Sequence, residues 1–202
     1  MITRLSTAVK TTTPARWRTL TPSTIGRTEV SAARIGDAVY VVGGFAEPDG
    51  LTSDIVERYD LKLDRWTRLR DAPTVRGAHV AGVIGTRMYV AGGAENSQPL
   101  DRLEIYDFAT NRWSTGPPMR LAREHLAGAV QDGKLYAIAG RAAGKGNYAV
   151  VERYTPACRR WERVSKLGKP RGGIAAATVA GRIVVVGGGL SYSRSVTSLR
   201  IR

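Results

Sequence analysis

Apolar residues fall in short bursts along this chain, and each burst ends in a pair of small residues. VYVVGG (39–44), MYVAGG (88–93), LYAIAG (135–140) and IVVVGG (183–188) are four copies of one pattern. Runs of four to six residues rich in Val, Ile and Tyr, closed by glycine, predict short strands; no segment carries a sustained 3.6-residue period. Ahead of each burst lies a smaller alternating run, HVAGVI (79–84) or HLAGAV (125–130), joined to it by a turn such as IGTR (84–87) or QDGK (131–134). After each burst comes a loop of variable length: FAEPDGLTS (45–53), AENSQPL (94–100), RAAGKGNYA (141–149) and GLSYSRS (189–195). A third strand follows (DIVERYD, DRLEIYD, AVVERYT), and seven residues past its tyrosine a tryptophan opens a fourth, at Tyr59/Trp66, Tyr106/Trp113 and Tyr154/Trp161. The unit is four strands, and it recurs four times, the last copy without its Trp strand.

The spacing of single residues sharpens the repeat. Tryptophans stand at 17, 66, 113 and 161, arginines at 27, 76, 123 and 171, and the doublets open at 43, 92, 139 and 187. Three markers share one period of 47 to 49 residues, which fixes repeats at about 17–65, 66–112, 113–160 and 161–202.

An arginine before the first strand, a Gly doublet closing the second, then Tyr and Trp at fixed spacing, resemble the Kelch repeat. The resemblance covers about residues 17–202 and implies an all-β, Kelch-type β-propeller: four blades of four antiparallel strands, first strand innermost, Trp strand outermost. Ala139 for glycine and Val184 for tyrosine depart from the pattern without threatening a strand. The Tyr and Trp rings are expected to fill the wedges between blades. Residues 1–14 are read as a basic tail and 15–202 as the propeller.

Two endings are open. SLRIR at the C-terminus aligns with RLEIY of the second repeat, so the fourth repeat lacks a Trp strand, while ARWRTL (15–20) is a Trp strand without a repeat. Either Trp17 completes the last blade and closes the ring, or the chain is an open arc able to pair with another copy.

Net charge is +14, and its distribution matters more than its size. Residues 1–28 hold five basic residues and no acid, 159–202 hold ten and one, and 29–158 hold sixteen of each. Closure would merge the two ends into one basic patch, attractive to an acidic partner and screened by salt. A single cysteine, Cys158, excludes an internal disulfide and suits a reducing cytoplasm. No apolar run reaches the length of a membrane span.

Catalytic signatures are missing. Two histidines and one cysteine make no metal cluster, and they are too few for the copper site that some Kelch-fold oxidases carry; no cofactor is expected. The Glu57-Arg58 and Glu152-Arg153 pairs suit cross-strand or inter-blade ion pairs. His79 and His125 open HVAG and HLAG and read as one slot at the start of the inner strand. With Arg27, Arg76, Arg123 and Arg171 they form the candidate site, a ring at one channel mouth for a carboxylate, phosphate or acidic peptide. The same arginines, recurring in every repeat, equally suit bonds to backbone carbonyls of the adjacent blade. The implied function is a non-catalytic protein-interaction scaffold with a protein partner. The alternatives are a binder of nucleic acid or another polyanion, and a carbohydrate-active or isomerase-like enzyme.

Overall fold

The computed structural model describes residues 17–189 and 195–200. Its core is four sheets in chain order, each a meander. Blade 1 is Ser31–Ile35, Ala38–Val42, Val56–Asp60 and Arg65–Arg68; blade 2 is Val80–Ile84, Arg87–Ala91, Leu103–Asp107 and Arg112–Thr115. Blade 3 is Ala127–Gln131, Lys134–Ile138, Val150–Thr155 and Arg160–Lys166. Blade 4 has three strands among the described residues, Ala175–Val179, Arg182–Val186 and Val196–Arg200. All neighbours are antiparallel, and the inner strands of consecutive blades pack on one another. The inner hairpins turn in two residues, with Asp132-Gly133 and Ala180-Gly181 both at positive φ, as type I′ turns require.

Successive side chains of a strand face opposite neighbours, which builds the wedges between blades. Met88, Val90 and Tyr106 of blade 2 close on Tyr40, Val42 and Val56 of blade 1. Leu135, Ala137, Tyr154 and Trp161 of blade 3 close on Tyr89, Ala91, Leu103 and Met119. Ile183 and Val185 of blade 4 close on Tyr136, Ile138 and Val151. In each full blade Tyr and Trp stand directly opposite, at 4.9, 5.0 and 5.3 Å between ring centres. Each indole then reaches back to the preceding unit. Trp66 Nε1 donates to Thr21 O (2.9 Å), Trp113 Nε1 to Arg70 O (3.1 Å) and Trp161 Nε1 to Pro117 O (2.9 Å), each acceptor lying four residues after the preceding tryptophan.

The glycine doublet has a tighter purpose than a sharp exit. Gly93 has φ +94, and a Cβ there would stand 2.6 Å from Gly77 O and 2.7 Å from His79 Cβ; its N–H donates to Arg123 O of the next blade at 3.0 Å. Only a residue without a side chain lets the backbone approach so closely.

Ring closure by Trp17 is not what the structure shows. Residues 17–20 form no strand, and the Trp17 side chain is 105% exposed; Ala15 and Arg16 lie outside the described residues. Thr21 N donates to Asp64 Oδ1 at 2.9 Å, which ties this segment to blade 1. Among the described residues the blades form an open arc, without the closure that would merge the two basic ends. The alignment of SLRIR with RLEIY also shifts. Leu199 pairs with Ile183 as Tyr106 pairs with Met88, so Leu199 occupies the tyrosine place. A loop two residues shorter than that of blade 2 hid this offset.

Candidate functional site

The four marker arginines are not at the mouth. Arg76 and Arg123 are wholly buried inside their blades, and Arg27 and Arg171 nearly so. Arg27 Nη1 donates to Gly43 O and Ile55 O, and its Nη2 pairs with Glu57. Arg76 Nη1 donates to Gly92 O (2.8 Å) and its Nη2 pairs with Glu104 (2.9 Å). Arg123 Nη2 donates to Ala137 O (3.0 Å) and its Nη1 pairs with Glu152 (2.5 Å). Arg171 Nη1 donates to Gly187 O (2.9 Å), and Thr197 Oγ1 replaces the carboxylate. Each guanidinium thus ties the second and third strands of its own blade, where the sequence had suggested the adjacent one. Burial pulls Arg27, Arg76 and Arg123 below the ordinary guanidinium value, and the facing carboxylates oppose that pull. A buried charge needs this partner, so the anion-binding ring of arginines has no free fork to offer.

The two histidines do not share a slot either. Counted from the arginine, His79 is third and His125 second; the alignment on HVAG and HLAG was one residue out. The inner strands start at Val80 and Ala127, which makes His79 the counterpart of Leu126. His79 is 5% exposed and packs as an apolar group beside the first doublet glycine of blade 1. Burial, and then the charge of Arg76, lower its pKa to about 3, so its imidazole is neutral.

His125 belongs to a different set. The second residue past each arginine, Glu29, Ala78, His125 and Gly173, takes a left-handed backbone, with φ of +50, +53, +49 and +65. These four residues are stitched around the mouth by their own backbone. Ala78 N donates to Glu29 O (3.1 Å), His125 N to Ala78 O (2.9 Å) and Gly173 N to His125 O (2.9 Å). Holding non-glycine residues there costs of order 1 kcal/mol each, offset by these bonds between blades. The mouth opens on a cavity of about 290 Å³ lined by this ring and by Val30, His79, Leu126 and Ile174. Beneath it the channel, about 300 Å³, is walled by small residues of all four inner strands.

Side chains of both signs meet at the mouth. His125 Nε2 lies 3.1 Å from Glu29 Oε2 across the arc and 3.0 Å from Arg141 Nη2; His125 Nδ1 lies 3.5 Å from Glu124 Oε1. Arg141 Nε also donates to Glu124 Oε1 at 3.3 Å. The sequence reading missed Glu29, Glu124 and Arg141. Counting two residues from each arginine would have found Glu29, because its position recurs while its residue type does not.

The first three variable loops fold as small hairpins beside this ring; most of the fourth, 189–195, lies outside the described residues. Phe45–Ala46 pairs with Leu51–Thr52, Ala94–Glu95 with Gln98–Pro99 and Arg141–Ala142 with Gly146–Asn147. Each is bonded to the residue just past a marker arginine: Thr28 to Phe45, Gly77 to Ala94, Glu124 to Arg141. Loops and mouth therefore share one face. Exposed charge on it runs from acidic on the first hairpin (Glu47, Asp49) to basic on the third (Arg141, Lys145). No group of three or more His, Cys, Asp or Glu able to hold a metal occurs among the described residues, and no helix there is long and apolar enough to cross a membrane.

Known proteins match this arrangement. A solved structure titled "Structure of YjhT" superposes with a TM-score of 0.70 at 20% identity, covering 80% of this chain and 59% of that one, a likeness of fold. Kelch-like protein 25 of Xenopus tropicalis is 28% identical over 83% of this chain and 30% of its own length. Alpha-scruin of Limulus polyphemus is 26% identical over 98% and 23%, and Kelch-like protein terF of Aspergillus terreus 26% over 94% and 46%. The chain thus spans less than half of each of these relatives. The family model described as the KLHDC2/KLHL20/DRC7 Kelch-repeats domain matches residues 4–189. The chain belongs to the Kelch-repeat family.

Proposed function

We propose that this chain is a non-catalytic protein-binding module whose contact surface is the face carrying the channel mouth and the three hairpins. One observation carries the reading: the recurring arginines and tyrosines are buried in the blades, while the loops after the doublets, which vary in length and charge, lie on this face. The strand carboxylates Glu57, Glu104 and Glu152 are each taken by a structural arginine, which commits them to holding the blades together. The Kelch-like and scruin relatives support a binding role.

The charge gradient refines the partner. An acidic segment suits Arg141 and Lys145, and a basic segment suits Glu47 and Asp49, so the complementary chain is bipolar rather than uniformly acidic. A synthetic peptide with lysines at one end and glutamates at the other serves as probe, against an all-glutamate peptide and a single-stranded oligonucleotide. The bipolar peptide should bind best, and Arg141→Glu with Lys145→Glu should weaken it at least tenfold. Tighter binding of the oligonucleotide would favour a polyanion binder and overturn the proposal.

A further inference from the structure

The wedge between blades 3 and 4 holds a groove of about 250 Å³, and its lining has a counterpart one blade back. Trp161 is seated among Ala91, Leu103 and Met119 of blade 2 and Leu135, Ala137 and Tyr154 of blade 3. One repeat further along, the strand registers put Ile138, Val151 and Leu167, with Ile183, Val185 and Leu199, in the same six places. These six line the groove. The indole acceptors run Thr21, Arg70, Pro117, each four residues past a tryptophan, and the next in that series, Ser165, lines the groove as well. The groove is a tryptophan seat without its tryptophan.

We propose that a second copy of this chain fills it, its Trp17–Leu20 segment completing blade 4 as the outer strand. Trp17 is the repeat's own tryptophan, fully exposed, with Thr21 already bonded to the blade that follows it. Blade 1 of the second copy then succeeds blade 4 of the first, as blade 2 succeeds blade 1. It covers a surface that is otherwise bare: Val186 is 40% and Val196 65% exposed, and Val39 and Val41 of blade 1 are half-buried. A chain's own Trp17 is held on blade 1, at the far end of the arc from its own seat. Two copies joined head to tail at both ends close a ring with two-fold symmetry.

Sedimentation equilibrium on the full chain tests this, with circular dichroism confirming that each variant is folded. The wild type should populate twice the chain mass, and Trp17→Ala should lower the association constant at least tenfold while leaving the fold intact. Leu199→Arg should do the same by spoiling the seat, and Leu199→Trp, which fills the groove from within, replaces it if the arginine prevents folding. An equimolar mixture of the Trp17 and Leu199 variants should regain a dimer, because one copy keeps the strand and the other the seat. A wild type monomeric at all concentrations overturns the proposal, whether the groove stays open or is filled by the chain's own Trp17, seen as a blue-shifted emission absent from Trp17→Ala. Dimerisation unchanged in Trp17→Ala overturns it as well, by assigning the contact to another surface.

Discussion

Blades 3 and 4 follow the same repeat and end up differently. Tyr136 and Ile138 are 0% and 1% exposed, whereas their counterparts Val184 and Val186 are half-buried and 40% exposed. On the inner strands, Ala127 and Ala129 are buried, and Ala175 and Ala177 are exposed. The residues are of like kind, so the difference lies in what stands beside them. Blade 3 is clamped on both faces, while blade 4, among the described residues, has one neighbour and three strands. A propeller blade has no core of its own; its apolar faces are buried only by the next blade, as in other repeat architectures. The charged network differs as well: where Arg123 meets the carboxylate of Glu152, Arg171 meets the neutral hydroxyl of Thr197.

The largest effects should separate clamped blade 3 from the blades at the two ends of the arc. Trp161→Ala removes a ring that is 4% exposed and should cost about 3–5 kcal/mol in urea unfolding. Trp66→Ala, at the open start of the arc, should cost less than half of that, because Trp66 is only half-buried. Arg123→Ala strands Glu152 without its partner and should cost about 3–5 kcal/mol, against about 1–2 kcal/mol for Arg171→Ala, where only neutral acceptors are left behind. Equal losses in either pair would break the comparison.

Smaller effects sharpen it within the clamped blades. Gly93→Ala should cost about 1–3 kcal/mol from its left-handed backbone alone, and more because its Cβ meets Gly77 O at 2.6 Å. Next comes a pH effect. The unfolded His79 takes up a proton near pH 6.5, and the folded residue only near pH 3. Below pH 6.5 the unfolded state therefore binds more protons. The contribution is complete above pH 6.5 and is lost on acidification, at about 1.4 kcal/mol per pH unit down toward pH 3. His79→Leu, the residue found at this place in blade 3, should flatten that part of the stability profile. The smallest effect is a gain: Ala139 holds φ +51 where the other repeats have glycine, and Ala139→Gly should stabilise by under about 1 kcal/mol.

Much of this was legible in the residue spacing. Trp, Arg and Gly at one period specify strands, their order and the four-unit plan, because each marker answers a local demand: a ring for a wedge, a guanidinium for two carbonyls, a missing Cβ for a close approach. The recurrence of the arginines already fitted a structural role, since a bond that every blade needs must repeat. What spacing could not supply was register to the single residue. HVAG and HLAG look alike, yet a one-residue offset sends His79 inward as a neutral, apolar-packed ring and leaves His125 at the mouth with Glu29 and Arg141. In the same way a loop two residues shorter than that of blade 2 moved Leu199 into the tyrosine place.

The tertiary structure alone decided where the ends go and which side chains meet. Glu29 and His125 are 96 positions apart and touch through their side chains, a contact set by the angle between blades and not by any local pattern. Whether Trp17 closes the ring depends on the same angle, summed over four blades. Sequence determines the shape of one blade through short-range packing and backbone geometry. The arc is the accumulated rotation of those blades, a long-range quantity that no single repeat encodes.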